Sequence, residues 1–252
     1  MNSYLDLHCH ILPGIDDGSD SWDETLEMFQ AAYNEDIRII IATPHYGLYN
    51  QDFDIDSARQ LVEEANTRMK SLPYRVDVFL GNEIYYVPGI VRDVLNGRAA
   101  TIAGSSYVLI EFSVDVDYET VERAVQEFTR ECYRPIIAHV ERYRNLIDTD
   151  LEQIRELRRL GAYFQVNTGN FIRKSGLFKK DSRTAFAKAM LQAGMVDFVA
   201  SDAHNATSRK PVMKTAVEAI RRIANEEQCD RLFIRNPIAL AGNEYIDTEQ
   251  GR

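Results

Sequence analysis

Tyr4-Leu5-Asp6-Leu7-His8-Cys9-His10 reads as a short strand that ends in two imidazoles. Residues two apart on an extended backbone point the same way, so His8 and His10 are expected to face one point. Working outward, Ile41-Ala42-Thr43-Pro44-His45, Ile136-Ile137-Ala138-His139 and Val199-Ala200-Ser201-Asp202-Ala203-His204 each place a histidine just beyond an apolar run. Those are all five histidines of the 252-residue chain. Histidine used for packing or solvation would also appear on helix faces, so a metal cluster is the first expectation.

The same apolar runs set the fold. Strands are predicted at 4–7, 37–42, 76–80, 107–112, 135–138, 162–166 and 196–201, with amphipathic helical stretches between them. Ser21-Trp22-Asp23-Glu24 predicts a capping box, after which Trp22, Leu26, Phe29 and Tyr33 share a helical face. Leu61, Ala65 and Met69, then Val121, Val125 and Phe128, repeat that spacing. Later helices are expected to start at Pro211 and, with Asn236 as cap, at Pro237. No low-complexity segment or Pro/Gly linker interrupts the series, so residues 1–252 are read as one domain. About seven βα repeats imply an α/β fold with a parallel barrel, whose active site lies where the C-terminal ends of the strands converge.

Acidic residues stand at the same stations. Glu83 follows Val78-Phe79-Leu80-Gly81-Asn82, Glu111 follows Val108-Leu109-Ile110, Asp202 lies two before His204, and Asp16-Asp17-Gly18 occupies the first loop. Each has an ordinary reading: a solvated loop histidine, an Asp-Asp-Gly turn, a glutamate paired with arginine. A glutamate directly after an apolar strand is costly to bury without a cation or donors. The coincidence of so many such residues at successive strand ends points to a multinuclear metal site.

Composition narrows the function classes. A formal net charge of −10 argues against a general nucleic-acid binder, which needs clustered Lys and Arg. Three cysteines, Cys9, Cys132 and Cys229, are too few for a disulfide framework and fit a reducing cytoplasm. There is no run of about 18 apolar residues and no basic leader before an apolar stretch, so membrane insertion and export are not expected.

Taken in order, His8 and His10, Thr43-Pro44-His45, Gly81-Asn82-Glu83, His139-Val140-Glu141-Arg142 and Ser201-Asp202-Ala203-His204 resemble the polymerase and histidinol phosphatase (PHP) superfamily. Within it, the chain resembles the bacterial CpsB/CapC group of metal-dependent protein tyrosine phosphatases, linked to capsule and exopolysaccharide production. The resemblance runs from Asp6 to Asn236. It implies a distorted parallel (β/α)7 barrel of the PHP type with three divalent ions. One ion would be held by His8, His10, Glu83 and Asp202, a second by Asp17, His45 and His204. A third would take Glu111 and His139 and share Glu83 with the first. Mixed imidazole and carboxylate ligands favour Mn2+, with Fe or Zn as alternatives.

Such ions would activate water, clamp a phosphate monoester and neutralise charge on the leaving group, with no phosphoenzyme. Arg142 matches the family's phosphate-binding arginine, with a surface salt bridge to Glu141 or a neighbour as the ordinary alternative; Arg209 is a second candidate. The implied substrate is a phosphotyrosine protein, the tyrosine-rich tail of a bacterial tyrosine autokinase. A phosphatase of small metabolites such as histidinol phosphate, and a non-enzymatic metal-bound regulator of a capsule kinase, are the competing readings.

A thiol mechanism is weighed too. Cys229 to Arg235 has the six-residue spacing of cysteine-dependent tyrosine phosphatases, but Asp230-Arg231-Leu232-Phe233-Ile234 contains no glycine and reads as a strand-like run, so the match is taken as chance. Cys9 should point away from its histidine neighbours into the core. Loops 47–56 and 170–180 are expected to border an open cleft. Around them stand Tyr46, Tyr49, Phe53, Phe171 and Phe178 and the cations Arg173, Lys174, Lys179 and Lys180, a mixture suited to an aromatic phosphoester on a peptide.

Overall fold

The computed structural model describes residues 3–147, 151–172 and 182–246. Its strands are β1 (Tyr4–Cys9), β2 (Ile37–Ala42), β3 (His45–Tyr46), β4 (Asp77–Leu80), β5 (Glu83–Tyr85), β6 (Tyr107–Glu111), β7 (Arg134–Ile137), β8 (Tyr163–Asn167) and β9 (Phe198–Ala200). They form two parallel ladders, β1-β2-β4 and β3-β5-β6-β7-β8-β9. Thr43-Pro44 joins β2 to β3, and Gly81-Asn82 joins β4 to β5. On the far side β9 returns to β1: Asp202 N donates to His8 O at 2.9 Å and His10 N to Ala203 O at 2.8 Å. The parallel sheet therefore curls back on itself.

Nine short strands stand where seven were expected, because two runs are broken. Proline cannot donate to a ladder, which ends β2 before His45. At Gly81 an added Cβ would lie 2.9 Å from Ile102 Cδ1, so the chain passes too close to its neighbour for a side chain.

Side-chain alternation on the strands sorts the interior into two layers. Leu7, Ile41, Tyr107, Leu109, Ile136, Ala138, Tyr163, Phe198 and Ala200 form an inner cluster within the curled sheet. Cys9, Ile40, Ala42, Val78, Val108, Ile110, Ile137, Phe164, Val166 and Val199 face outward and pack against the helices. Each buried aliphatic or aromatic side chain of this kind contributes about 1.5–3 kcal/mol relative to exposure.

The helices follow the predicted stripes with shifts. Helix Trp22–Asn34 starts at Ser21, whose side chain accepts from Glu24 N. Glu24 in turn takes the N–H of Asp20 rather than that of Ser21. Its deepest residues are Thr25, Met28, Phe29 and Ala32, with Trp22, Leu26 and Tyr33 packed along the flanks. Helix Tyr118–Arg130 buries Val121, Ala124, Val125 and Phe128 as its spacing predicts.

The last two helix starts differ from expectation. One helix begins at Lys214, not Pro211. Asn236 is no cap, because a π-helical turn at Arg231–Arg235 carries the chain from Glu226–Asp230 into Asn236–Ala241. Its side chain is buried and donates to Asp197 O at 2.7 Å. No described helix is long and apolar enough to cross a membrane.

The ends of the curled sheet contrast. Where the strands begin, Ile246 joins the inner cluster. Tyr107 OH donates to Glu244 O at 2.7 Å, and Arg134 Nη1 donates to Asn243 O at 2.8 Å. Where the strands end, histidines and carboxylates gather around Glu83.

Candidate metal centre

Strand parity brings most of the acidic and imidazole groups inward. Tyr107 and Leu109 pack in the inner cluster, so Glu111 is the next inward position on β6. Strand β1 needs an irregularity to do the same. Leu7 lies in the inner cluster and Cys9, two residues on, in the outer one. Pairing with β2 is irregular between Asp6 and Cys9, and this bulge re-aims His8 and His10 to the inner side.

Two other residues reach the site through left-handed backbone. His139 has φ 30° and Asp202 φ 53°, a conformation that costs a non-glycine residue on the order of 1–3 kcal/mol and that concentrates at functional sites.

Glu83 is the centre of the cluster. Its Oε2 lies 3.2 Å from His8 Nε2, 3.2 Å from His10 Nε2 and 3.3 Å from His45 Nδ1, while its Oε1 lies 2.6 Å from His139 Nε2. His45 Nδ1 is also 2.9 Å from Glu111 Oε1, and its Nε2 is 3.3 Å from Asp17 Oδ1. His204 Nε2 reaches the same Asp17 oxygen at 3.5 Å. Asp202 Oδ1 is 3.6 Å from His8 Nε2. All nine residues singled out from the sequence are thus brought together. Seven of them are buried, whereas the Asp17 side chain is 65% exposed.

The grouping differs from the one the resemblance implies. Potential ligand atoms gather as His8, His10 and Asp202, as His10, Asp17, His45 and His204, and as His45, Glu83 and Glu111. Glu111 thus sits beside His45, and His139 beside Glu83.

The donor set fits divalent cations. His45 Nδ1 and Glu111 Oε1 are buried and neither has a hydrogen bond, although they lie 2.9 Å apart. The Nε2 atoms of His8 and His10 face each other at 3.2 Å. Lone pairs crowded on one point without donors are what ligands of a shared cation present.

The opposite ring nitrogens are held from behind. Gln165 Oε1 takes His8 Nδ1 at 3.2 Å, Asp16 Oδ2 takes His10 Nδ1 at 2.7 Å, and Asp202 O takes His204 Nδ1 at 3.0 Å. Donation through Nδ1 leaves Nε2 as the ligating atom. Gln165 Oε1 also accepts His139 N at 2.7 Å, and Asn167 Nδ2 donates to Asp202 Oδ2 at 2.7 Å. Gln165 and Asn167 were missed in the sequence. Their signal is amides at the inward positions of Tyr163-Phe164-Gln165-Val166-Asn167, where the outward ones are apolar. Gly18 permits the Asp16 turn, since a Cβ there would sit 2.2 Å from His10 O.

Electrostatics in this buried space pull the groups apart. Burial pushes the His10 imidazole down, but Asp16 and Glu83 outweigh it and carry the ring to about 10. His45 is likewise raised against burial by Asp17 and Glu111, to about 11. Burial together with Arg142 lowers His139 to about 4, and burial with His10 lowers His204 to about 3. Glu111 is raised to about 7 by burial and by the charge of Glu83.

A cavity of about 480 Å³ opens over the cluster, and Tyr49, Val114, Arg142 and Arg209 are among the residues that line it. Arg142 does not pair with Glu141; its Nη2 hydrogen-bonds Asp202 Oδ2, and Arg209 Nη2 meets Asp202 Oδ1 at 3.1 Å. Of the loop aromatics, Tyr46 donates to Asp93 at 2.9 Å and packs on Phe53, and Phe171 is buried. Those three are packing residues. Tyr49 is 58% exposed, edge-on to His45. Residues Arg173, Lys174, Phe178, Lys179 and Lys180 lie outside the described residues.

The cysteines take no part. Cys9 is buried in the outer layer and Cys229 in the helical C-terminal region, with burial raising both thiols.

Comparison with known proteins bears on this geometry. Residues 4–241 match the family described as "Capsular polysaccharide synthesis, CpsB/CapC". The chain is 29% identical to tyrosine-protein phosphatase CpsB of Streptococcus agalactiae serotype V over 96% of its own length and 100% of the relative's. To tyrosine-protein phosphatase YwqE of Bacillus subtilis it is 32% identical, over 81% and 79%. A crystal structure from work on YwqE of Bacillus subtilis and CpsB of Streptococcus pneumoniae, described as metal-dependent tyrosine phosphatases, superposes with a TM-score of 0.87. Identity there is 29%, with 96% of each chain covered.

Proposed function

The chain belongs to the CpsB/CapC family, and from that membership we propose that it is a metal-dependent phosphatase of phosphotyrosine in proteins. The observation that carries the reading is Glu83, one buried carboxylate contacted by four histidines from three stations of the sheet. We assign residues 1–252 to a single metallophosphatase domain acting in the cytoplasm. We further assign metal ligation to His8, His10, Asp17, His45, Glu83, Glu111, His139, Asp202 and His204, with Glu83 shared between ions. Three ions, Mn2+ by preference, suit that number and mixture of ligands.

Bound there, divalent ions would supply Lewis-acid charge for the phosphoryl oxygens and lower the pKa of water. The chain's own residues do the rest. Arg142 and Arg209, both resting on Asp202, present guanidinium forks matched to phosphoryl oxygens. Tyr49 and Val114, which line the same cavity, offer the aryl ring an apolar surface. A tyrosine phenolate, with a pKa near 10, is a better leaving group than a serine alkoxide and asks less of a general acid.

The substrate we propose is the phosphorylated tyrosine-rich tail of a bacterial tyrosine kinase that regulates capsule or exopolysaccharide synthesis. Specificity constants of the Mn2+-loaded enzyme for phosphotyrosine peptide, phosphoserine peptide and histidinol phosphate test this. Preference for the first is expected. Preference for histidinol phosphate would move the activity to small metabolites, and metal binding without turnover would make the protein a regulator.

A further inference from the structure

A second cavity, of about 460 Å³, adjoins the first. The two share Arg142, Asp202 and Arg209 as a common wall, so the neighbouring space lies directly beyond the two arginines from the cluster. Its lining mixes polar side chains with the apolar Ile172 and Val212. Asn170, Thr207 and Ser208 supply amide and hydroxyl groups, and exposed Arg183 and Lys210 add positive charge at the rim.

Among the described residues two carboxylates border this space, and both are engaged. Asp202 carries the two arginines. Glu141 is buried, and its Oε1 accepts Asn167 N at 3.1 Å and Asn170 Nδ2 at 2.7 Å. The turn bearing Lys210 is tied in place, since Asn205 Oδ1 accepts from Thr207 N at 3.0 Å and Arg209 N at 2.9 Å. In a chain of net charge −10, the described lining carries four cations, Arg142, Arg183, Arg209 and Lys210, against the two carboxylates Asp202 and Glu141, a positive balance suited to an anion.

We propose that this cavity is an anion subsite that receives an acidic side chain, carboxylate or phosphate, carried a few residues from the phosphotyrosine on the same substrate polypeptide. The inference rests on the phosphotyrosine-protein reading above. An extended peptide advances roughly 3.3–3.6 Å per residue, so a chain anchored by its phosphate over the cluster brings neighbouring side chains into the adjoining cavity. Free phosphotyrosine or a small metabolite phosphate would leave it empty.

The test compares the Mn2+-loaded wild type, the Lys210→Ala/Arg183→Ala variant and the charge-preserving Lys210→Arg/Arg183→Lys variant. Substrates are a phosphotyrosine peptide flanked by Glu, the same peptide flanked by Gln, one with a second phosphotyrosine, and p-nitrophenyl phosphate. The wild type should favour Glu or the second phosphate over Gln by about five- to tenfold in kcat/KM, expressed in KM. The size of each gain tells carboxylate from phosphate as the better occupant. The alanine variant should fall to about twofold or less, the charge-preserving variant should keep the preference, and p-nitrophenyl phosphate turnover should stay unchanged.

Equal wild-type rates per phosphotyrosine on the Gln-flanked, Glu-flanked and doubly phosphorylated peptides would refute the subsite while leaving the phosphatase reading intact. So would an alanine variant that loses the same fraction on every substrate. Failure to hydrolyse any phosphotyrosine substrate would refute both.

Discussion

The two ends of the curled sheet solve opposite problems with the same strands. At the end where strands begin, Tyr107 OH donates to Glu244 O and accepts from Ile246 N at 3.2 Å, and aliphatic and aromatic side chains fill the space between. At the end where they finish, histidines and carboxylates are buried together, His45 Nδ1 and Glu111 Oε1 lack hydrogen bonds, and His139 and Asp202 hold left-handed backbone. One end is sealed by apolar packing around Tyr107 and Ile246. The other gathers histidines and carboxylates on one point, a crowding of ligand-type groups expected where a site is organised for ions.

The largest effect that separates the ends is expected from His139→Gly. Glycine accepts φ 30° without strain, so the metal-free variant should melt no lower than wild type except for the lost side-chain contacts. Turnover should nevertheless drop at least about a hundredfold through loss of the imidazole. Retained activity in steady-state assays would remove His139 from the site.

Next comes Gln165→Leu, which keeps volume but strips the acceptor behind His8 Nδ1 and His139 N. Metal affinity should weaken about ten- to a hundredfold, read by competition with a chromophoric chelator. Unchanged affinity would show that Gln165 does not orient the ligands.

Proton release sharpens the same point. With His10 raised to about 10 and His45 to about 11, both rings carry a proton at pH 7 in the metal-free protein. Loading must expel those protons, so affinity should rise with pH and fall with acid. Calorimetry in buffers of different ionisation enthalpy measures the release, and a buffer-independent heat would contradict it.

Smaller, and confined to the opposite end, is Tyr107→Phe. It leaves Glu244 O and Ile246 N without their partner at a cost of about 1–3 kcal/mol. For a chain of this length that is a drop of roughly 2–4 °C in Tm for each kcal/mol, with turnover unaltered. Loss of activity would mean that the two ends are coupled. Cys229→Ser should change neither property, because no thiol acts in the chemistry; inactivity would restore the cysteine mechanism.

Much of this contrast is legible in the sequence, and the reasons are physical. Histidine and glutamate are conspicuous after apolar runs, so the cluster's members show before any geometry does. The inner seal does not show, since Tyr107 and Ile246 are ordinary apolar residues until the chain brings the segment at 243–246 beneath β6. Backbone devices are equally silent: nothing in Ala138-His139 or Ser201-Asp202 signals a left-handed residue, and the bulge in β1 has no compositional mark. Gln165 and Asn167 do leave a trace, polar residues in the inward rhythm of a buried strand. That rhythm is readable only once inward and outward faces are known. Helix starts shift because tertiary contacts override local caps, as where Asn236 turns inward to Asp197 O.

The most direct measurement is metal content against activity in one preparation. Protein loaded with Mn2+, freed of excess ion and assayed on phosphotyrosine peptide should hold about three ions per chain at full activity. It should lose that activity on chelation and regain it on Mn2+ return. Full activity with no more than one ion per chain, or activity that survives complete chelation, would contradict the metal cluster at the strand ends as the seat of hydrolysis.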